Sequence, residues 1–249
     1  MLVLHQAILT PRNSSGKMVN SNTCCCTPNT RRRSVRIAII GAGNVGRALA
    51  DSSVRAGHDV RISATHADHA RAVALATGAR AAASNLEAVR GADVVVLAVP
   101  GTAFPGLVTE LGEALGGKTV VDASNAPTPD PSGAPTVSIA EGLQTQLPGS
   151  KVIKAFNTLF AARQVAPVVD GAGVDGYVAG DDIEAKGKVM QLAKSIGLRP
   201  IDVGGLVMAR TLEAMAWLNI SLQLKNGWVW QTGWRLVGPT SPASPATAA

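Results

Sequence analysis

Aromatic side chains are scarce in this chain: three Phe, one Tyr and four Trp in 249 residues. Its core must therefore be built from Ala, Val, Leu and Ile. Cysteine is missing everywhere except Cys24, Cys25 and Cys26. With no CxxC spacing and no disulfide framework, the chain suits a reducing compartment and reads as cytoplasmic. The cysteine cluster reads as part of an unstructured tail, with a metal or redox role as the alternative. Acids are missing from residues 1–34, which hold five of the 23 basic residues. The remaining 18 face 17 acids. The body is thus almost neutral, and the net charge of +6 is no argument for a nucleic-acid partner. No apolar run reaches the length of a membrane span.

Catalytic constellations are also missing. There is no nucleophile triad and no carboxylate pair. Tyr177, the single tyrosine, lies in a strand pattern with no Lys four residues on, which excludes the Tyr–Lys couple of short-chain dehydrogenases. A metal site would need convergent carboxylates or histidines, and none stands at usable spacing. Asp181 and Asp182 read as helix-capping and first-turn acids.

What is present is a strand, a glycine turn and a helix. Ile37 to Ile40 form an apolar β-branched run that ends in Gly41-Ala42-Gly43-Asn44-Val45-Gly46, and a helical pattern then runs to a stop at Gly57. This order is that of a dinucleotide-binding βαβ unit. Gly41 permits the tight turn, Gly43 lets a pyrophosphate approach the backbone, and Gly46 lets helix and strand pack closely. The free N–H groups at the helix start, from Asn44 and Val45 on, would face the phosphates. His58 to Ser63 reads as the second strand. An NAD enzyme usually places an acid after it to hold the ribose 2′-hydroxyl. Here Ser63-Ala64-Thr65-His66 follows, with Arg71 beyond. Hydroxyls plus His66 or Arg71 could hold a 2′-phosphate, so NADP(H) is expected rather than NAD. His66 and His69 could equally be surface residues of a helix start.

The rest of the chain continues the alternation. Helices are expected at 68–77, 84–90, 103–115 and 137–147, with strands at 79–83, 93–100, 118–122 and 151–155. Asp93 to Pro100 is apolar enough for a central parallel strand covered on both faces, and Val99-Pro100 lies where ligands bind in doubly wound sheets. The Pro- and Gly-rich loop 126–135 could be a substrate loop or a plain surface connection. A further βαβ unit spans 176–203, and one long helix is expected over 205–224. Trp217, Trp228, Trp230 and Trp234 crowd the C-terminus, which suggests burial against the body or a second subunit. The expected fold is α/β, a Rossmann-type doubly wound parallel sheet with a small C-terminal helical part. Its organisation reads as 1–34 a disordered, targeting or mis-started extension, 35–204 the NADP-binding domain, 205–238 a helical segment and 239–249 a disordered tail. Organelle import through 1–34 is the alternative to a cytoplasmic location.

Several stretches together carry a resemblance: I-I-G-A-G-N-V-G, V-V-D-A-S-N, V-I-K-A-F-N-T, V-A-G-D-D-x-E-A-K, I-G-L-R-P-I-D-V-G-G-L and A-R-x-L-E-A-M-A-W-L-N. Over about 35–224 the chain resembles the NADPH-dependent oxidoreductases of the deazaflavin coenzyme F-420. Metalloreductases of the ferric-reductase type carry a related N-terminal domain. The resemblance implies a Rossmann domain with a helical C-terminal part, a homodimer, and reversible hydride transfer between NADPH and coenzyme F-420 or a flavin. By position it implies that Gly41–Gly46 cradle the pyrophosphate and Ser63, Thr65 and His66 meet the 2′-phosphate. Val99, Pro100, Ser124, Asn125 and Ala126 would line the nicotinamide side. Asn157 and Thr158 would approach the deazaflavin as orienting groups, with Leu206 and Val207 closing the pocket. Two positions depart from the family: Ala64-Thr65-His66 replaces Ser-Arg-Arg, and Asn157 stands where His is frequent.

Hydride transfer between two stacked rings needs little acid–base help, because the cofactors carry the electrons and the protein holds the reacting atoms about 3–3.5 Å apart. Three other readings remain open. Reduction of a small imine or carbonyl would need a proton donor from His58, His66, Lys151 or Lys154. Reduction of ferric iron or a flavin is another, and a non-catalytic NADP sensor is the third.

Overall fold

The computed structural model describes residues 34–125 and 137–238. The extension up to Arg33, with Cys24–Cys26, the loop 126–135 with Ala126, and the tail 239–249 lie outside the described residues. From Ser34 on the chain belongs to one structural unit.

The alternation expected from the sequence is present. β1 (Arg36–Ile40), α1 (Asn44–Arg55), β2 (Asp59–Ser63), α2 (Ala67–Thr77), β3 (Arg80–Ala81), α3 (Asn85–Val89) and β4 (Val94–Leu97) form the first half. A 3-10 turn at Gly101–Ala103 leads into α4 (Phe104–Leu115), then β5 (Thr119–Asp122), α5 (Ile139–Gln146) and β6 (Lys151–Ala155). After α6 (Ala161–Val165), β7 (Val168–Val169) and β8 (Ala172–Gly173) make a small hairpin. Asp170 and Gly171 turn it with φ of 49° and 76°, the pairing of left-handed residues that a two-residue hairpin needs. β9 (Asp175–Gly180), α7 (Ile183–Ser195), β10 (Arg199–Asp202) and α8 (Ala209–Asn226) complete the order.

Eight strands share one sheet in the order β10-β9-β6-β5-β4-β1-β2-β3. The pairings are parallel except β6 against β9. The chain crosses the sheet end through α6 and the hairpin and returns beside β6 in the opposite direction. β1 shows why the sheet is buried on both sides. Ile37 and Ile39 belong to one core with Leu49 of α1 and Val189 of α7, while Ala38 and Ile40 belong to another with Val89, Leu111 and Leu143 of α3, α4 and α5. Strand order reverses between β1 and β4, so their C-terminal ends open a crevice at the switch point.

The C-terminal part departs from expectation in two ways. The long helix is split: Leu206–Met208 is a 3-10 turn, and α8 starts at Ala209. Helix also stops at Asn226, because Gly227 adopts φ 64° as a left-handed cap. Residues 228–238 then run on without helix or strand. Leu206 and Ala209 pack into the same core as β4 and β5, so this part is built onto the sheet. Trp228 and Trp230 are 46% and 43% exposed rather than buried. No helix among the described residues is long and apolar enough to cross a membrane.

Candidate functional site

The glycine turn sits at the switch point. Gly41 adopts φ 115° and its N–H bonds the Ser63 carbonyl at 2.9 Å. A Cβ on Gly41 would strike the Ala98 carbonyl, and one on Gly46 would strike the Gly41 carbonyl. Both positions therefore require glycine for packing alone. Gly43 differs: a Cβ there would meet nothing within 4 Å. It caps α1 without any side-chain hydrogen bond. The first N–H groups of α1 thus face open space with no side chain to satisfy them, which suits a pyrophosphate.

A cleft of about 650 Å³ opens beside the turn. Gly41, Gly43, Thr65, His66, Val99 and Pro100 line it, together with His69, Asn85, Leu107 and Glu110. Ser63 is a correction. Its side chain is 1% exposed and its hydroxyl donates to Asn85 Oδ1 at 2.7 Å, so it stands behind the wall and orients Asn85. The Asn85 amide in turn donates to Glu110 at 2.9 Å. Arg71 forms an exposed ion pair with Asp68 and does not line the cleft. The 2′ side thus offers Thr65 and two imidazoles packed edge to face, with centroids 5.4 Å apart. Its one acid, Glu110, is held by Asn85. Open space over Gly43 and the lack of an acid among Ala64, Thr65 and His66 after β2 make a cleft that fits NADP(H). Asn85 and Glu110 escaped sequence reasoning, because only the sheet brings α3 and α4 beside the end of β2.

A second cleft of about 500 Å³ is lined from Asn44 on, the residue after Gly43 of the first cleft. Asn44, Val45, Asn125, Asn157 and Thr158 line it, and Phe156, Phe160, Ile220 and Trp230 form much of its wall. Phe156 holds φ 66°, a backbone conformation that costs a bulky residue about 1–3 kcal/mol. Its carbonyl and that of Leu159 accept from the buried Gln164 amide at 3.2 and 3.3 Å. That bend places Asn157 and Thr158 at the cleft. Asn157 Nδ2 donates to Asn125 Oδ1 and to the Leu212 carbonyl, both at 2.9 Å, and Asn125 Nδ2 returns a bond to the Asn157 carbonyl at 3.2 Å. Asn157 Oδ1 and Ser124 Oγ are buried without a partner. A buried acceptor left open at a cleft wall is a place for a ligand N–H.

Beneath this corner lies a buried ionic cluster that sequence reasoning missed. Lys154 Nζ donates to Asp122, to the Ser124 carbonyl and to Glu213, each at 2.8 Å. The side chains of Lys154 and Asp122 are fully buried and that of Glu213 is 3% exposed. Burial pushes the Glu213 carboxyl up, and Lys154 pulls it back in part. Glu213 also accepts the Ile139 N–H at 3.2 Å, while Asp122 accepts the Ser124 N–H at 2.8 Å. The cluster therefore fastens the backbone on both sides of the 126–136 segment and holds the Asn125–Asn157 pair above it.

The four proton-donor candidates fare poorly. All three Lys154 protons are committed. Lys151 pairs with Asp182 at 3.1 Å. His58 bonds Ser195 at 2.8 Å and the Val35 N–H at 3.2 Å, at the opposite end of β1. His66 lies in the first cleft, and no ionisable residue among those described lines the second. Leu206 and Val207 are further corrections. Leu206 is 3% exposed in the core with its N–H on Asp181, Val207 is 54% exposed, and neither lines either cleft. Ala216, Asn219 and Ile220 of α8, with Val229–Gln231, take that place. Asp182 caps α7 through the Ala185 N–H.

Comparison with known proteins identifies the family. The family described as NADP oxidoreductase, coenzyme F420-dependent, matches residues 36–126. The F420-dependent NADP reductase of Methanothermobacter marburgensis is 32% identical over 212 residues, covering 77% of this chain and 94% of that protein. Metalloreductase STEAP3 of Rattus norvegicus is 32% identical over 194 residues, and the match spans 78% of this chain but only 38% of that relative. Among solved structures, a candidate F420-dependent NADP reductase from Arthrobacter sp. FB24 superposes with a TM-score of 0.72 at 27% identity, over 82% of this chain and 100% of that one.

Proposed function

The chain belongs to the coenzyme F420-dependent NADP oxidoreductase family, and from that premise we propose that this NADP-dependent oxidoreductase moves a hydride between NADPH and a flat deazaflavin or flavin-like ring. The observation that carries the reading is the second cleft. Its lining starts at Asn44, next to Gly43 of the NADP(H) cleft, and among the described residues it is walled by apolar, hydroxyl and amide side chains with no ionisable one. Bound NADPH supplies the hydride. Gly43 and the start of α1 hold the pyrophosphate, and Thr65, His66 and His69 meet the 2′-phosphate. Val99, Pro100 and Asn125 set the nicotinamide edge. Asn157 and Thr158 orient the acceptor, with Asn157 Oδ1 taking an N–H from it. The acceptor gains two electrons and one proton as hydride, and any further proton comes from water. Imine or carbonyl reduction finds no ionisable proton donor at this cleft among the described residues. A ferric acceptor rests on the match to the metalloreductase, of which this chain spans 38%. The proposal includes a cytoplasmic homodimer, with Leu218, Leu224 and Trp228 as exposed apolar surface on and after α8.

NADPH absorbance, followed with coenzyme F420, FMN, a ferric chelate and a set of imines in parallel, tests the reading. Oxidation with a ring acceptor is expected. Oxidation by imines alone would overturn it, and tight NADPH binding without any turnover would make the chain a sensor. NADH should bind more weakly than NADPH, and His66→Ala with His69→Ala should narrow that gap. Equal affinity for the two in the unaltered protein would sink the 2′-phosphate assignment.

A further inference from the structure

Cations that hold a phosphate at any pH are missing from the NADP(H) cleft. Among the described residues its lining has no Lys or Arg, and the groups that can become positive are His66 and His69. Both are exposed at the start of α2, with ring centroids 5.4 Å apart. The permanent charges around them are engaged elsewhere. On α2 itself Arg71 is paired with Asp68. From β2, Arg61 reaches the Glu87 carbonyl at 3.4 Å, and the Glu87 carboxylate accepts the Ala83 N–H at 2.8 Å. On β3, Arg80 pairs with Asp59 at 3.4 Å. From α1, Arg47 and Asp51 line a different cleft beside Ala76 and Thr77, at the far end of α2. From α4 comes Glu110, the other ionisable residue of the lining, which accepts the Asn85 amide.

We propose that the His66–His69 pair makes coenzyme selection pH-dependent: the imidazoles take up protons as the 2′-phosphate of NADP(H) binds, and the preference for NADP(H) over NAD(H) falls as pH rises. The inference rests on the reading of this cleft as the 2′-phosphate site. Imidazole is the side chain that ordinarily changes charge between pH 5 and 8. A phosphate monoester is mostly dianionic over the upper part of that range, and an anion beside an imidazole favours its charged form. Glu110 repels the incoming dianion, and neutral imidazoles have only N–H dipoles to set against it. Two imidazolium groups reverse that balance through charge-assisted hydrogen bonds. The protonated form belongs to the complex, so affinity is fullest at low pH and is lost as pH rises. NAD(H) carries a hydroxyl in place of the phosphate and has nothing to draw those protons in.

NADP+ and NAD+ are the probes, titrated calorimetrically into the full chain from about pH 6.5 to about 8.5. In that window the free phosphate is already mostly dianionic, so its own titration contributes little. NADP+ should weaken by about threefold to tenfold per pH unit, tenfold answering to one linked proton, while NAD+ stays constant. Runs in two buffers of unlike ionisation heat should show protons taken up with NADP+ and none with NAD+. His66→Asn with His69→Asn keeps neutral N–H donors on an exposed surface and cannot titrate. At every pH that variant should bind NADP+ about as the unaltered chain does at the top of the window, with NAD+ affinity and thermal unfolding unchanged. NADP+ binding tighter than NAD+ by the same factor at every pH overturns the inference and leaves the 2′-phosphate assignment standing. So does a pH slope that survives in the double variant, because another group then carries the proton. Equal affinity for the two coenzymes at every pH removes the assignment as well.

Discussion

The glycine turn and the corner formed by β5, β6 and α8 lie along the same C-terminal edge of the sheet, and opposite means build them. At the turn, the shape comes from missing side chains: Gly41 and Gly46 have no room for a Cβ, and Gly43 leaves space above the start of α1. At the corner, the shape comes from side chains that water cannot reach. One Lys and two carboxylates are drawn into the interior, and they position an amide pair whose own Oδ1 is left open. The turn tolerates nothing added, whereas the corner tolerates nothing removed.

The largest effect should come from breaking the corner. Lys154→Met leaves Asp122 and Glu213 as buried carboxylates without their cation, and removing one partner of such a cluster costs about 3–5 kcal/mol. Denaturant unfolding should show that loss. Adding Glu213→Gln should recover part of it, because one of the stranded charges disappears. A loss below about 1 kcal/mol would mean that water or a local shift relieves the charges, and the corner would then be no more fastened than the protein surface.

The turn gives a paired test of next rank. Gly46→Ala drives a methyl into the Gly41 carbonyl, and overpacking against backbone should cost about 3 kcal/mol of stability. Gly43→Ala has open space around it and a backbone of φ −74°, ψ −173° that alanine adopts freely, so unfolding should not move. Its methyl occupies the place of the pyrophosphate. NADPH affinity should fall about tenfold to a hundredfold, the worth of one or two hydrogen bonds to a charged group. Isothermal titration separates the two, since Gly43→Ala must lose affinity while folded. If it binds NADPH normally, the cradle is elsewhere.

This difference in construction also decides what could be read beforehand. Gly41, Gly43 and Gly46 announce themselves because no other residue serves there and their spacing is local. The apolar runs of β1 and β4 are equally plain, since strands covered on both faces can hold little else. Lys154 carries no such mark. It interrupts an apolar strand like any edge residue, and its partners stand 32 and 59 residues away. Ser63 was legible as a hydroxyl after β2, but its direction depends on Asn85, which only tertiary folding brings near. Leu206 had the right neighbourhood in the chain and the wrong orientation, because its N–H is tied to Asp181 and its side chain turns into the core. Residues 228–238 could not be read as a wall of the second cleft, since their aromatic side chains suggested burial and their course follows from the left-handed Gly227 and from Asp175, which bonds the Trp234 carbonyl and the Leu236 N–H.

A smaller effect sharpens the account of the corner. Glu141 and Arg210 join α5 to the start of α8 through two bonds of 2.7 and 2.8 Å, and Ser138 with Glu141 closes a capping box. Geometrically the pair is as good as the buried cluster, but its side chains are 20% and 39% exposed. The Arg210 hydrogen bonds hold the Glu141 carboxyl at about 2, below its ordinary 4.5, against the opposing effect of burial and with help from Ser138. Its contribution is therefore complete above pH 4.5 and lost as pH falls toward 2. Solvent screening limits that contribution to about 1 kcal/mol. Glu141→Gln should cost about that much at neutral pH and flatten the acid limb of the stability curve between pH 4.5 and 2. Should Glu141→Gln cost as much as Lys154→Met, bond geometry rather than burial would set the strength of the corner, and the contrast with the glycine turn would lose its physical basis.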